Sequence, residues 1–502
     1  MRGCSGIMRK GYWKRAAVLF TGAFFCNLPF GACADLSLNQ AIQLALQQNT
    51  TIKITQQGEQ TADAALREAK GAKGFAITAT GGADASRTND EDTTSKLTAG
   101  VTAKLPIYSA GKLDNNIESG ELGVKSAALK TAREREDIRL SVIKAYYDAV
   151  QALKTINVDQ EAVDKYQAHL TNTQQLYSAG SKARIDVLRS EVSLSDARQT
   201  LIKAQNAYEV DLASLRNILN IDRNEPLTLT DDVVYTSFDQ DMNSCVDYAY
   251  QNRKDLLVDT YTLEQKELAV KVAEAGLKPT VSLSLGTNLS GQIAPSVDNS
   301  HSFTAGLSAS WNVFDDGVTR AQIDTAKTNR DIARLTLDKD RDDVDLAVRQ
   351  AYYNMREAEK RFISTQDAVK QAQEDYYIAR EKYRAGEGLM LDIIDAQQAL
   401  STAQLNYITA QYDYARYKAT VENAMGIGLT EDEQRAAGVL PAVTQQMAEP
   451  AAAAQSPSEA AKSSAPAVKT PASAAVQPET QAAVEEQSEN VADEAAADGG
   501  EQ

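Results

Sequence analysis

The sequence predicts a mainly α-helical chain with four β-strands, built by duplicating one unit: strand, strand, long helix, turn, returning helix. Three observations predict it. The stretches 124–179 and 318–385 contain neither glycine nor proline. Four shorter segments alternate apolar and polar residues. Blocks of sequence recur at a fixed offset.

The recurrence is specific. Ala145-Tyr146-Tyr147-Asp148 returns as Ala351-Tyr352-Tyr353-Asn354, and Tyr177-Ser178-Ala179-Gly180 as Tyr383-Arg384-Ala385-Gly386. Ile185-Asp186-Val187-Leu188 returns as Leu391-Asp392-Ile393-Ile394, Thr98-Ala99-Gly100 as Thr304-Ala305-Gly306, and Gly111 as Gly317, all 206 residues on. Upstream, Gly82 matches Gly286 and Ala45-Leu46-Gln47 matches Ala249-Tyr250-Gln251, 204 residues on. The two-residue difference falls near 83–97 and 287–303, where a loop is expected. A constant offset marks one unit used twice. The expected organisation is a leader at 1–34, a first repeat at 35–221, a connector at 222–242, a second repeat at 243–427, a short segment at 428–440 and a tail at 441–502.

The leader starts basic (Arg9, Lys10, Lys14, Arg15), continues apolar from Ala16 to Phe30 and ends in Ala32-Cys33-Ala34, the pattern of an export signal. Cleavage there takes the formal net charge from −17 to −22 and leaves Cys245 as the one thiol, so no internal disulfide is possible. Phe30–Cys33 also resembles a lipoprotein cleavage box, with Phe where Leu is usual.

Each repeat opens on a helix; Ser37 and Gln40 fit a capping box for the first. Strands follow. In 97–107, Leu97, Ala99, Val101, Ala103, Leu105 and Ile107 alternate with Thr98, Gly100, Thr102 and Lys104. In 303–313, Phe303 through Trp311 and Val313 alternate with Thr, Gly, Ser and Asn. Residues 280–289 and, less strongly, 75–84 supply their partners. The glycine-free runs then carry apolar residues at coiled-coil spacing, such as Val344, Val348, Ala351, Met355, Ala358 and Phe362. A helix over 318–385 would be about 100 Å long. Helices 183–220 and 389–425 return after Gly180 and Gly386. The tail, with ten acids, two lysines and no aromatic residue, cannot bury a core and is expected to be disordered.

Function classes narrow on composition. A pI near 4.8 disfavours nucleic acid as a partner. Two histidines, His169 and His301, and no Ser-His-Asp set, phosphate loop or metal cluster leave nothing to support an enzyme or a cofactor. Asp and Glu scattered along the helices are expected to lie on solvated faces. Four strands of bilayer-crossing length cannot close a barrel alone. Either they sit in a soluble sheet, as in a periplasmic coiled-coil spacer whose tail binds cell wall, or several chains share one barrel.

Over about residues 36–430 the chain resembles the TolC-type outer-membrane efflux family (outer membrane factors). The resemblance rests on the duplicated unit, on the strand exits Leu105-Pro106-Ile107-Tyr108 with Gly111 and Val313-Phe314-Asp315-Asp316-Gly317, and on the turns around Gly180 and Gly386. It implies a homotrimer in outer-membrane lipid. Three chains of four strands would form a 12-stranded β-barrel, continued across the periplasm by a helical coiled-coil barrel. The implied role is the passive exit duct of a tripartite efflux pump or type I secretion system. Its partners would be a periplasmic adaptor (membrane fusion) protein and an inner-membrane RND, ABC or MFS transporter. By resemblance, Asp392 and Asp395 would form a carboxylate ring at the pore constriction, and Tyr383 with Asp186 a gate link. Gly180, Ser181, Gly386, Glu387 and Gly388 would form the adaptor-facing tips, and Pro106, Gly111 and Gly317 the barrel-to-helix transition. A second family link uses an Arg two residues past the glycine; Gly388 stands there instead, leaving a shallower closed state.

Overall fold

The computed structural model describes residues 34–87, 94–224, 226–294, 298–436 and 438. The expected leader, apart from Ala34, and the tail 441–502 lie outside them. In chain order come β1 (Ala34–Leu36), α1 (Leu38–Gln48), α2 (Thr50–Gly71), β2 (Ala76–Ser86), β3 (Thr94–Tyr108), α3 (Lys112–Ser178), α4 (Arg184–Leu219) and β4 (Leu227–Leu229). Then come α5 (Met242–Asn252), α6 (Lys254–Glu274), β5 (Thr280–Ala294), β6 (Asp298–Ser310), α7 (Val318–Ala385), α8 (Met390–Ala424) and α9 (Glu431–Ala436). The chain is mainly helical. No helix among the described residues is long and apolar enough to cross a membrane.

The capping box forms: the Ser37 hydroxyl accepts from Gln40 N–H at 3.3 Å, and Gln40 Oε1 from Ser37 N–H at 2.9 Å. Asp241, 204 residues on, caps α5 in the same way, accepting from Asn243 and Ser244 N–H. The recurring Tyr pair has a shared task. Tyr146 is fully buried and its hydroxyl donates to Leu36 O at 2.9 Å, while Tyr352 donates to Gln240 O at 3.4 Å. Leu36 and Gln240 are again 204 apart. Each tyrosine therefore ties the long helix to the strand or loop that precedes its first helix. Tyr146 also accepts from Asp231 N–H, which anchors the β1–β4 parallel pair.

The sheet is antiparallel in the order β2-β3-β5-β6. Pairing repeats with the sequence: Gly82 stands opposite Thr98 and Gly286 opposite Thr304; Ala79 stands opposite Val101 and Leu283 opposite Leu307. Residues paired across a ladder share a face. One face thus gathers Ile77, Leu97, Val101, Leu289, Phe303 and Leu307, all largely exposed, with Ile77 at 73% and Phe303 at 72%. The other carries Thr78, Thr80, Thr102, Ser282, Ser284, Asn288 and Ser308.

Two expected boundaries differ. β6 stops at Ser310 rather than at Val313, because Thr280, its partner's first residue, lies opposite Ser310. Beyond that point Trp311, Val313 and Phe314 have no strand beside them in the chain and are exposed. In contrast α3 begins at Lys112, well before the glycine-free run. Gly120 and Gly123 sit inside it because other helices come close: a Cβ at Gly120 would lie 3.2 Å from Leu66 of α2, and one at Gly123 3.3 Å from Gln265 of α6.

The solvated-face expectation fails at two acids of α3. Glu136 is 3% exposed, paired with Arg133 at 3.2 Å and with Lys254 of α6. Arg133 also donates to Asn423 O and Oδ1 at 3.0 and 2.9 Å, so one guanidinium joins α3 to the end of α8. Burial outweighs both cations and lifts the Glu136 carboxyl above its ordinary range. The second acid, Asp159, lies nearer the tips.

The strand-to-helix exits share one device. Ala110 and Gly111 have φ of +54° and +85°, and Asp316 and Gly317 +53° and +86°. Lys112 N–H bonds to Ser109 O and Val318 N–H to Asp315 O, closing a primed turn in each case. Pro106 sits where the β3–β5 register shifts, a position that needs no amide donor. Gly317→Ala is expected to cost about 1–2 kcal/mol through backbone strain alone, since a Cβ there meets nothing within 4 Å. Gly317→Val should cost more and Gly317→Asn less. Denaturant midpoints of the three variants check the order.

Candidate functional site

The far ends of the two helical hairpins carry most of the residues singled out in the sequence. Both long helices end in the same way. Gly180 (φ +73°) bonds to Tyr177 O and Ser181 N–H to Leu176 O; Gly386 (φ +83°) bonds to Tyr383 O and Glu387 N–H to Lys382 O. This is the Schellman arrangement, in which glycine supplies the left-handed residue. Gly180, Ser181, Gly386 and Glu387 are exposed.

Gly388 differs in kind. Its N–H bonds to Lys382 O at 3.1 Å, and a Cβ there would lie 3.0 Å from Tyr383 N and 3.2 Å from the Lys382 carbonyl carbon. Glycine is held at this position by close backbone packing. An arginine there would require the backbone at Lys382 and Tyr383 to give by a few tenths of an ångström.

Tyr383 is 4% exposed, packed among Ala379, Met390, Ile393 and Ala396. Its hydroxyl is buried without a hydrogen-bond partner among the described residues. Tyr383 and Asp186 therefore share no hydrogen bond in this chain. The cross-hairpin contact is instead Lys182, whose Nζ lies over the Tyr383 ring at 4.4 Å from its centre. Lys182 is the residue 206 positions before Gly388. The cation two residues past the glycine is thus present, but in the first hairpin. The repeat offset carries that signal in the sequence, once both copies are read for it.

Asp186 and Asp392 occupy the same place, the first turn of a returning helix. Asp392 Oδ2 accepts from Leu389 N–H at 2.9 Å, which caps α8 and suits the positive end of the helix. Asp395, one turn on, lies on the same face. Neither Asp392 nor Asp395 is in an ion pair among the described residues. Asp395 borders a cavity of about 290 Å³ between α3, α4 and α8, with Asp159, Asp196, Tyr166 and Thr200. Asp159 is 5% exposed, and burial raises its carboxyl above its usual range.

His169 of α3 is buried beside the same tips, edge-on to Tyr376 of α7 with ring centres 6.5 Å apart. Burial lowers its pKa, and Arg380 and Arg384 lower it further. Pro106, Gly111 and Gly317 lie at the opposite end of the long helices, next to the sheet. The structure therefore brings together the residues expected at the constriction, link and tips, and keeps those expected at the barrel-to-helix transition apart from them. Among the described residues no group of acids, histidines or cysteines could hold a metal ion.

Known proteins resemble this chain in sequence and in fold. The sequence model of the family described as outer membrane efflux protein matches residues 41–220 and 245–427. The outer membrane efflux protein BepC of Brucella suis biovar 1 is 22% identical over 413 residues, covering 82% of this chain and 89% of BepC. The toluene efflux pump outer membrane protein TtgC of Pseudomonas putida is 26% identical over 429 residues, covering 80% of this chain and 85% of TtgC. The Campylobacter jejuni CmeC outer membrane channel has a similar fold, with a TM-score of 0.70 at 19% identity over 79% of this chain and 88% of that one.

Two outcomes are expected at the tips. Tyr383→Phe should leave their protease sensitivity near that of the parent, since its hydroxyl makes no bond, whereas Lys182→Gln should raise it several-fold through loss of a contact of about 0.5–2 kcal/mol. The tips should also loosen in acid. His169 has a lowered folded pKa, so the unfolded segment takes up the proton first and stability falls as pH drops below about 6.5. Hydrogen exchange at about pH 7.5 and about pH 5.5, either side of that value, should show this loosening, and His169→Phe should flatten it.

Proposed function

The chain belongs to the TolC-type outer membrane efflux protein family, and from that premise we propose that it is the outer-membrane exit duct of a tripartite export machine. Three copies would share one 12-stranded barrel, and their helices would continue it through the periplasm. A periplasmic adaptor would dock on the turns at Gly180–Lys182 and Gly386–Gly388. An inner-membrane transporter, of an efflux pump or a type I secretion system, would drive the cargo; the duct itself performs no chemistry.

The observation that carries this reading is the sheet. Its apolar face is uncovered within the chain, its opposite face is Ser, Thr, Asn and Gly, and its edge strands β2 and β6 each have one unpaired side among the described residues. Lipid suits the first face and water in a lumen the second. Lipid does not tolerate open edges, so the barrel must be completed by further copies. The repeated pairing Gly82–Thr98 and Gly286–Thr304 supports an origin by duplication, which gives each copy two similar hairpins.

At the constriction, Asp392 and Asp395 of three copies would place six carboxylates around the axis. Such a ring raises the local cation concentration. The purified protein is expected to form cation-preferring channels in planar bilayers. Asp392→Asn combined with Asp395→Asn should weaken that preference and relieve block by divalent cations, with assembly retained. Anion preference in the parent at neutral pH would count against the duct.

A further inference from the structure

We propose that the cavity between α3, α4 and α8 is a binding site for a linear polyamine, a cation whose ammonium groups are separated by alkyl segments. The site lies within one chain and does not depend on the shared barrel. The cavity measures about 290 Å³, close to the lower end of the range for small-molecule pockets, about 300–1,000 Å³. Asp159 and Tyr166 of α3 form its buried wall, 5% and 7% exposed. Asp196 of α4 and Asp395 of α8 are exposed and stand at its rim.

The buried carboxylate calls for a partner. Asp159 has neither a hydrogen bond nor an ion pair among the described residues, and no basic residue lines the cavity. Burial alone raises its carboxyl above the usual range; no donor or cation acts against that. A lone carboxylate in such a place is costly unless a cation or hydrogen-bond donors meet it. Its oxygens are not among the sealed, unpartnered atoms of the described residues, and the cavity is where a partner can reach them.

The shape of the site selects the cation. Asp159, Asp196 and Asp395 do not converge as the ligands of a metal ion would, since no such group of acids exists among the described residues. Positive charge is wanted instead at two depths, one inside beside Asp159 and one at the rim. Between them the wall is apolar, with Ala162, Ala197, Ile394 and Leu405. An alkyl chain carrying an ammonium group at each end satisfies both depths and covers the wall. A compact inorganic cation can do neither. The lining comes from both hairpins, α3 and α4 of the first and α8 of the second. A bound polyamine would therefore tie the hairpins together.

Titration calorimetry of the full chain in detergent tests the site, with spermidine as the probe. Saturable binding is expected. Asp159→Asn should weaken it about ten-fold or more, because a buried charge loses its partner, and Asp196→Asn only about two- to five-fold, because water screens a pair at the rim. Ser193→Leu, which narrows the cavity without changing its charge, should weaken binding as well. Butylamine and Mg²⁺ at the same concentration should bind far less than spermidine. Asp159→Asn removes an unpaired buried charge, so its melting temperature without ligand should equal or exceed the parent's. Spermidine should raise the parent's melting temperature and leave that of the variant nearly unchanged. Absence of saturable binding would overturn the proposal, and so would binding that Asp159→Asn leaves intact or that Mg²⁺ matches. Loss of binding on Asp392→Asn alone would move the cation to the expected constriction and overturn it too. Preference for a lysine-rich peptide over spermidine would assign the cavity to a protein partner instead. Should Asp159→Asn fail to fold, Ser193→Leu and the comparison with Mg²⁺ decide.

Discussion

A backbone amide has nowhere to bond in hydrocarbon except to another backbone group, and the architecture of this chain follows from that constraint. The sheet presents an apolar surface too large for water, yet it ends in two strands with one ladder unmet. A helix cannot cover those edges within a bilayer, and a fifth strand would only move the problem. Repetition of the same edge on another copy would solve it. A duplicated unit would serve the same end, because a strand that already pairs with its counterpart's neighbour, as β3 does with β5, carries a working edge.

Much of this was legible in the sequence. Strand alternation, the glycine stops and the 206-residue offset depend on local chemistry, which one chain contains in full. The end of β6 was not legible, because the alternation through Trp311 and Val313 specifies a strand but not whether a partner is present. Gly120 and Gly123 inside α3 were not legible either: glycine is a helix breaker by propensity, and close approach by α2 and α6 overrides that. Glu136 and Asp159 read as solvated because a polar residue at helical spacing has the same pattern whether solvent or another helix faces it.

The tips show where the two halves have diverged. Both use the same glycine cap, so the backbone is common property. Beyond the cap, Lys182 extends across to an aromatic ring, while Gly388 folds in against its own helix. One hairpin supplies the cation and the other the ring. The two ends are thus complementary rather than equal, and the Tyr383 hydroxyl is buried without a hydrogen-bond partner among the described residues.

The long helices α3 and α7 have 67 and 68 residues. Their near equality restricts how such a protein can change length over evolutionary time. A single inserted residue would rotate everything beyond it by about 100° and turn the packing stripe away from its neighbour. About seven residues restore the phase and add about 10 Å. The returning helix must lengthen equally, and so must the other hairpin, or the tips lose alignment. Changes in hairpin length are therefore expected in discrete, phase-preserving steps made together in all four helices.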